Sequence, residues 1–221
     1  MIEKCQRCGE CCEKGGPALH VQDIDLIRKK IILPDHLITI RKNELAYDPV
    51  RDSVEPVKAE FLKIGGTHGK WTCRFYDKTR HGCLIYENRP LACRVLKCWD
   101  TADILALSGK DLLSRFDLVE KDSVMAEKIK EYDSLYPCPD MQMISRKGPR
   151  SSKKVVRHFE EMITNDLSYR FNAVKAHNLS ISEEMFYFGR PLFQLFQALG
   201  FGVSETSRGI KLSFKKRKDN P

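Results

Sequence analysis

The chain has 221 residues, 42% apolar and 31% charged, with a net charge of +8, a composition ordinary for a soluble globular protein long enough to bury its own core. No apolar run approaches the ~20 residues that span a bilayer, and the start MIEKCQRCGE is polar from its third residue, without a hydrophobic signal core. The expectation is a cytoplasmic protein with no membrane partner, whose thiols stay reduced; its nine cysteines, an odd number, then need an explanation other than disulfides.

The first element in chain order is the loop CQRCGECC, residues 5–12. Cys5, Cys8 and Cys11 form C-x2-C-x2-C, a spacing that lets a tight loop wrap one metal centre with three sulfurs while a remote cysteine supplies the fourth. Cys12 is expected to point away from Cys11, towards a second centre. VQDIDLIRKKI (21–31) predicts a short helix with Val21, Ile24, Ile27 and Ile31 on one face. HLITIR (36–41) and AEFLKIGG (59–66) read as strands within a mixed segment. KWTCRFYDKTRHGCLIYENRP (70–90) reads as two short strands, around 70–76 and 83–86, joined by a turn through Lys78–Gly82. Asn88 is the predicted N-cap of a following helix, with Pro90 in its first turn. That helix would carry Cys93 and Cys98, and five residues set them roughly 140° apart around the axis. They could share a centre only if the helix broke between them. The pattern therefore suggests two centres, or one centre plus a thiol with other work.

Further on, TADILALSGKDLLSRFDLV (101–119) predicts one or two helices interrupted at Gly109, and VMAEKIKEYDSLY (124–136) a helix stopped by Pro137. RKGPRSSKK (146–154) is a basic connector. A long helix follows over 155–178, with Val155, Phe159, Met162, Ile163, Leu167, Phe171 and Val174 as its apolar stripe. Residues 182–200 predict another, bent or split at Gly189–Pro191, then a closing hairpin over 201–214 and the basic tail KKRKDNP. The last 83 residues contain no cysteine, so the thiol chemistry belongs to the first part. The reading is a mainly helical α+β fold: a cysteine-rich metal-binding region over 1–140, containing a short β-hairpin, and a helical C-terminal region over 141–221 packed on it.

The stretch CQRCGECC, followed by Cys73, GCLIYENRP and LACR, resembles the CxxCxxCC family of zinc- or iron-chelating proteins, the YkgJ-like group. The resemblance covers roughly residues 5–100 as discrete motifs. It implies Cys5, Cys8, Cys11, Cys12, Cys73, Cys83 and Cys93 as ligand candidates; Cys98 joins them on position alone, and Cys138 in YPCPDM lies outside the set. The family also contains flagellin lysine methylases, so the resemblance admits methyl transfer from S-adenosylmethionine, although no GxGxxG or other recognisable S-adenosylmethionine motif is present.

All-thiolate ligation suits zinc or iron–sulfur clusters. Three local cysteines with a distant fourth favour a [4Fe–4S] cluster over zinc, which would favour a second C-x2-C knuckle. Arg7, Arg74, Arg89 and Arg94 lie close to cysteines in sequence and could offset the negative charge of such a centre. Trp71 and Trp99 could shield it. Lys97 and Arg94 could activate Cys98 or Cys93 as a reactive thiol. His68 and His81 bracket Cys73 but lack zinc-ligand spacing, and read as turn or surface residues. The basic charge reads as solvated loops and tail, with no helix-turn-helix, RNA-binding or C2H2 finger pattern, so nucleic acid is not the expected partner. Two functions follow. One is an iron–sulfur protein for electron transfer or cluster-assisted modification of a protein or peptide; the other is a zinc-stabilised, non-catalytic binding module.

Overall fold

The structure, a computed structural model, describes residues 5–67, 69–147, 152–207 and 209–214. His68, the middle of the basic connector and the tail after Phe214 lie outside them. The fold is α+β: short helices and two-stranded antiparallel sheets in the first half, longer helices in the second.

A four-residue helix, α1 (Glu10–Glu13), opens the described chain. The predicted helix over 21–31 is shorter than expected: a 3-10 turn (Val21–Asp23) leads into α2 (Ile24–Arg28). It stops because Lys30 adopts a left-handed conformation, φ 55°. Strand β1 (Leu37–Ile40) is buried along its whole length and pairs with β4 (Phe61–Ile64), Leu37 opposite Ile64 and Ile40 opposite Phe61. Between them lies a hairpin that residue patterning did not isolate, β2 (Leu45–Asp48) and β3 (Ser53–Pro56). Its turn is fixed by Asp48, whose carboxylate accepts the backbone N–H groups of Val50 (2.9 Å) and Arg51 (3.3 Å).

The hairpin expected over 70–86 is reduced to β5 (Tyr76–Asp77) and β6 (Gly82–Cys83), with Tyr76 opposite Cys83. Residues 70–75 do not form a strand because their backbone groups are committed elsewhere. Cys73 bridges to Gly66, and its N–H donates to the carbonyl of Cys12 at 2.7 Å. Helix α3 (Leu91–Val95) follows, then α4 (Ala102–Leu107). Past Gly109 the predicted second helix is only a 3-10 turn (Arg115–Asp117), since Leu113 is drawn into an extended exchange. Its carbonyl accepts from Leu62 (2.7 Å), and its N–H donates to Leu19 (2.9 Å).

The second half follows the sequence reading more closely. Helix α5 (Val124–Leu135) is capped by Ser123, whose hydroxyl accepts from Ala126 N–H at 3.2 Å. A short helix, α6 (Met141–Lys147), was not foreseen. Helix α7 (Lys153–His177) begins after an N-cap Ser152 and ends at left-handed Asn178. Helix α8 (Ile181–Phe188) opens with a capping box between Ser180 and Glu183, and α9 (Leu192–Ala198) follows the break at Gly189–Pro191. Strands β7 (Phe201–Thr206) and β8 (Gly209–Phe214) form the expected closing hairpin.

The apolar stripe of α7 is only partly as predicted. Phe159 and Ile163 are buried, but Val155 and Phe171 are 41% and 69% exposed. The buried face runs instead through Glu160, Asp166 and Arg170. These polar residues serve the elements packed on the helix. Arg170 donates to the carbonyls of Phe188 (2.9 Å), Gly189 (3.0 Å) and Arg190 (3.2 Å), and pairs with Asp166 (2.8 Å) and Glu184 (2.6 Å). Asp166 accepts the first N–H of α9, from Leu192, at 2.8 Å, and the Tyr132 hydroxyl at 2.7 Å. The orphan carbonyls at the end of α8 and an orphan N–H at the start of α9 are thus satisfied by one ion pair on α7. Glu160 does the same for β8, accepting from Leu212 N–H (3.0 Å) and pairing with Lys211 (2.8 Å).

Three apolar clusters result among the described residues, the smallest of them built on Tyr132, Ala173 and Phe188. The first gathers Leu19, Leu26, Ile32, Leu37, Leu62, Ile64, Cys73, Phe75 and Leu113 with Phe186 of α8. The second holds Cys138, Met141, Ile144, Phe159, Ile163, Leu192, Leu195, Phe196 and Phe201. Removing one member of a buried ion pair leaves an uncompensated charge and typically costs about 3–5 kcal/mol. Arg170→Ala should therefore lower the urea-unfolding free energy by about that amount, whereas Arg157→Ala, which breaks an exposed pair with Glu161 on the same helix, should change it by less than about 1 kcal/mol.

Candidate metal centre

Glycine shapes the N-terminal loop. Gly9 is left-handed at φ 84°, and a Cβ there would overlap the ring of Tyr76. The loop therefore lies flat on β5, and α1 starts immediately after it. Cys5, Cys8 and Cys11 are exposed on this loop and helix, while Cys12 turns inward and packs against the first apolar cluster.

Cys11 and Cys12 do not diverge as the sequence reading expected. Their sulfurs lie 3.9 Å apart, because successive residues on a helix are only about 100° apart and both thiols can swing to the same edge. The Cys12 thiol hydrogen-bonds to Cys11, which lowers the Cys11 pKa to about 6 and pushes that of Cys12 up.

Four further segments bring thiols to this place. Cys73 is buried and joined to Cys12 through its backbone; Cys83 pairs across β5–β6 from Tyr76; Cys93 lies on α3. Burial raises the Cys73, Cys83 and Cys93 thiols, Cys93 to about 12, and the charges of neighbouring thiols add to the shift. Cys12 feels Cys11, Cys73 and Cys93; Cys93 feels Cys73, Cys11 and Cys83. Cys98 is exposed and its thiol is raised by partial burial and by Cys11, Cys5 and Cys8. Eight of the nine cysteines thus share one region. Among the described residues, no group of three or more His, Cys, Asp or Glu side chains is placed so that it could hold a metal ion as the structure stands. Cys138 stands apart in the second apolar cluster, with its pKa raised to about 12 by burial and Arg41, Glu44 and Arg190 as its charged neighbours.

The helix bearing Cys93 differs from the sequence reading at both ends. Asn88 closes a 3-10 turn (Tyr86–Asn88) rather than capping α3, and Pro90 occupies the N-cap position. Pro90 offers no side-chain acceptor. The first N–H of α3, from Leu91, goes instead to the buried carboxylate of Asp23 at 2.7 Å, whose other oxygen accepts from His20 N–H at 3.0 Å. At the far end, Leu96 turns extended at ψ 115°. Cys98 therefore leaves the helix, and the 140° separation from Cys93 does not apply.

The cations are distributed unevenly. Arg89 opposes the negative charge at Cys11, Cys83 and Cys93, and its guanidinium stacks on Tyr86 at 3.7 Å. Arg7 stacks on the same ring at 3.9 Å, so Tyr86 fastens the N-terminal loop to the segment leading into α3. Arg74 is turned to the carbonyl and carboxylate of Asp35, and Arg94 is exposed. Lys97 pairs with Asp103 at 2.7 Å rather than activating Cys98. Lys63, which spacing to the cysteines did not single out, is the other cation of the site. Its ammonium donates to Gly16 at 2.6 Å and is felt by Cys73 and Cys93, although burial lowers its own pKa. The signal for it was the alternation of β4, where Leu62 and Ile64 are buried and Lys63 takes the opposite face. Trp71 and Trp99 are 46% and 40% exposed, so both rings meet solvent. His81 is an exposed turn residue at φ 47°, as expected.

The donor set fits a thiolate-bound metal. It consists of soft sulfur ligands, several buried, with two cations beside them, and burial keeps Cys73, Cys83 and Cys93 protonated unless a metal ion takes the proton's place. Such a gathering defines a cysteine-cluster metal-binding domain. Residues 4–111 match the model of the CxxCxxCC family, described as "Putative zinc- or iron-chelating domain". No curated protein and no solved structure matches the chain. Among the described residues, no helix is long and apolar enough to cross a membrane.

Gly9→Ala tests the loop. Strain at a left-handed position costs about 1–3 kcal/mol, and the added methyl also displaces Tyr76. Gly109→Ala carries the first penalty alone, since Gly109 has φ 72° and nothing within 4 Å. Both variants should unfold at lower temperature, but only Gly9→Ala should lose bound metal on a desalting column.

Proposed function

We propose that the protein is an iron–sulfur protein that holds a [4Fe–4S] cluster on the thiols of its first half. It would serve electron transfer or a cluster-assisted modification of a protein or peptide. The observation that carries this reading is the ferredoxin-type spacing of Cys5, Cys8 and Cys11, three local thiols in a loop with the more distant Cys98 in electrostatic reach. Bound, such a cluster supplies one-electron chemistry, and with S-adenosylmethionine as donor it would support methyl transfer. This chain's own residues prepare the place. Cys12, Cys73, Cys83 and Cys93 lie on the apolar side, where water is scarce, while Arg89 and Lys63 set positive charge against the thiolates. The exposed rim of Cys5, Cys8, Cys11 and Cys98 leaves one side open to a partner.

A second reading, a zinc-stabilised binding module without catalysis, is favoured by a different observation. The segment around the thiols has little regular structure, with β5 and β6 only two residues long, and such regions commonly fold around a structural metal.

Purification without oxygen followed by absorption spectroscopy and iron, sulfide and zinc analysis separates the two. A broad band near ~400 nm with equal iron and sulfide is expected for a cluster. A colourless protein containing only zinc would overturn it. S-adenosylmethionine binding, measured calorimetrically on the brown protein, then tests the methyl-transfer form.

A further inference from the structure

The eight gathered cysteines differ in depth as well as position. Cys73 is buried, and Cys12, Cys83 and Cys93 are half-buried; Cys12 and Cys83 pack directly on the cluster that contains Cys73 and Phe75. Cys12 and Cys73 are also tied by a 2.7 Å backbone hydrogen bond. By contrast Cys5, Cys8, Cys11 and Cys98 are all exposed. The end of α3 at Val95 separates Cys93 from Cys98. It leaves Cys98 where the charges of Cys11, Cys5, Cys8 and Glu10 act on it, while those acting on Cys93 come from Cys73, Cys11 and Cys83. The two groups meet at Cys11, whose sulfur lies 3.9 Å from that of Cys12 and whose charge also acts on Cys73, Cys83 and Cys93.

We propose that these thiols form two four-cysteine metal centres side by side: an inner one on Cys12, Cys73, Cys83 and Cys93, and an outer one on Cys5, Cys8, Cys11 and Cys98. The assignment rests on the metal-binding reading above but not on the identity of the metal. Cys98 is then the remote fourth ligand that C-x2-C-x2-C requires, and the doubled cysteine is the seam between centres. The inner centre joins elements of the apolar core, whereas the outer one fastens an exposed loop. Their losses should therefore differ. Without the outer centre the fold stands, while without the inner centre the first half loosens.

The test uses full-length protein purified without oxygen, analysed for metal and sulfide and then alkylated with iodoacetamide and mapped by mass spectrometry. Wild type should carry two centres' worth of metal, about eight irons if both are [4Fe–4S], and protect all eight cysteines. Cys98→Ser should lose about half the metal and expose Cys5, Cys8 and Cys11, while Cys12, Cys73, Cys83 and Cys93 stay protected and the thermal midpoint hardly moves. Cys93→Ser should expose the inner set. If that variant does not fold, the Cys98→Ser map decides alone. A single cluster or a single zinc per chain in wild type overturns the partition. So does a Cys98→Ser protein that keeps its full metal content, or one in which Cys12 becomes reactive together with Cys11. Two zincs per chain, one lost with Cys98, would support the partition and overturn the iron–sulfur reading instead.

Discussion

Thiols crowded as Cys12, Cys73, Cys83 and Cys93 are cannot all ionise without a cation among them, because burial and the charge of each neighbour raise every one. Much of the first half is arranged around that constraint. Metal binding releases the protons these thiols hold, so metal affinity and folding are linked. The chain's own cations answer only part of the demand. Arg89 and Lys63 are near the buried sulfurs, but Lys63 is itself disfavoured by burial. A bound metal ion would supply the remaining positive charge.

The scaffold that holds these thiols uses few of its own regular elements. The backbone link between Cys12 and Cys73, the Tyr86 ring gripped by two arginines, and the carboxylate of Asp23 at the start of α3 do the positioning. The second half contributes from behind. Phe186 of α8 enters the first apolar cluster, and the Thr39 hydroxyl of β1 donates to the Phe186 carbonyl at 2.5 Å. The guanidinium of Arg190, in the break after α8, lies 5.2 Å from the ring of Trp71 and pairs with buried Glu44. Helix α7 holds that break in place through Arg170 and Asp166. A charge pair on one helix thereby fixes the segment that reaches towards the cysteines.

Features written in local pattern were legible in the sequence. The loop CQRCGECC, the Ser-capped helices α5 and α8, the split at Gly189–Pro191 and the closing hairpin each depend on residues a few positions apart. What the sequence did not disclose depends on distant partners. Asp23 caps a helix many residues away, so Asn88 looked like the better cap from local context. Asp166 and Arg170 occupy the buried face of α7 because α8 and α9 present unsatisfied backbone groups there, and no periodicity of apolar residues encodes that. Phe171 fits the apolar stripe by spacing but stands exposed. The helix break at Val95 was equally hidden, since nothing in LACRVLKC is a strong helix stop. That break released Cys98 from the angular limit its spacing to Cys93 implied.

Strand β4 shows how these demands meet in four residues. Its Leu62 and Ile64 face the apolar cluster and its Lys63 faces the thiols, opposite Ile38 in the pairing with β1. A slip of one residue against β1 would exchange the two faces. An ammonium group would enter the oil, and a leucine would stand where the sulfurs need positive charge. So short a strand has little pairing energy of its own with which to choose its alignment. Here the hydrophobic core and the electrostatics of the thiols select the same alignment independently, with Leu62 and Ile64 turned to the apolar cluster and the single cation Lys63 on the face it shares with Phe61.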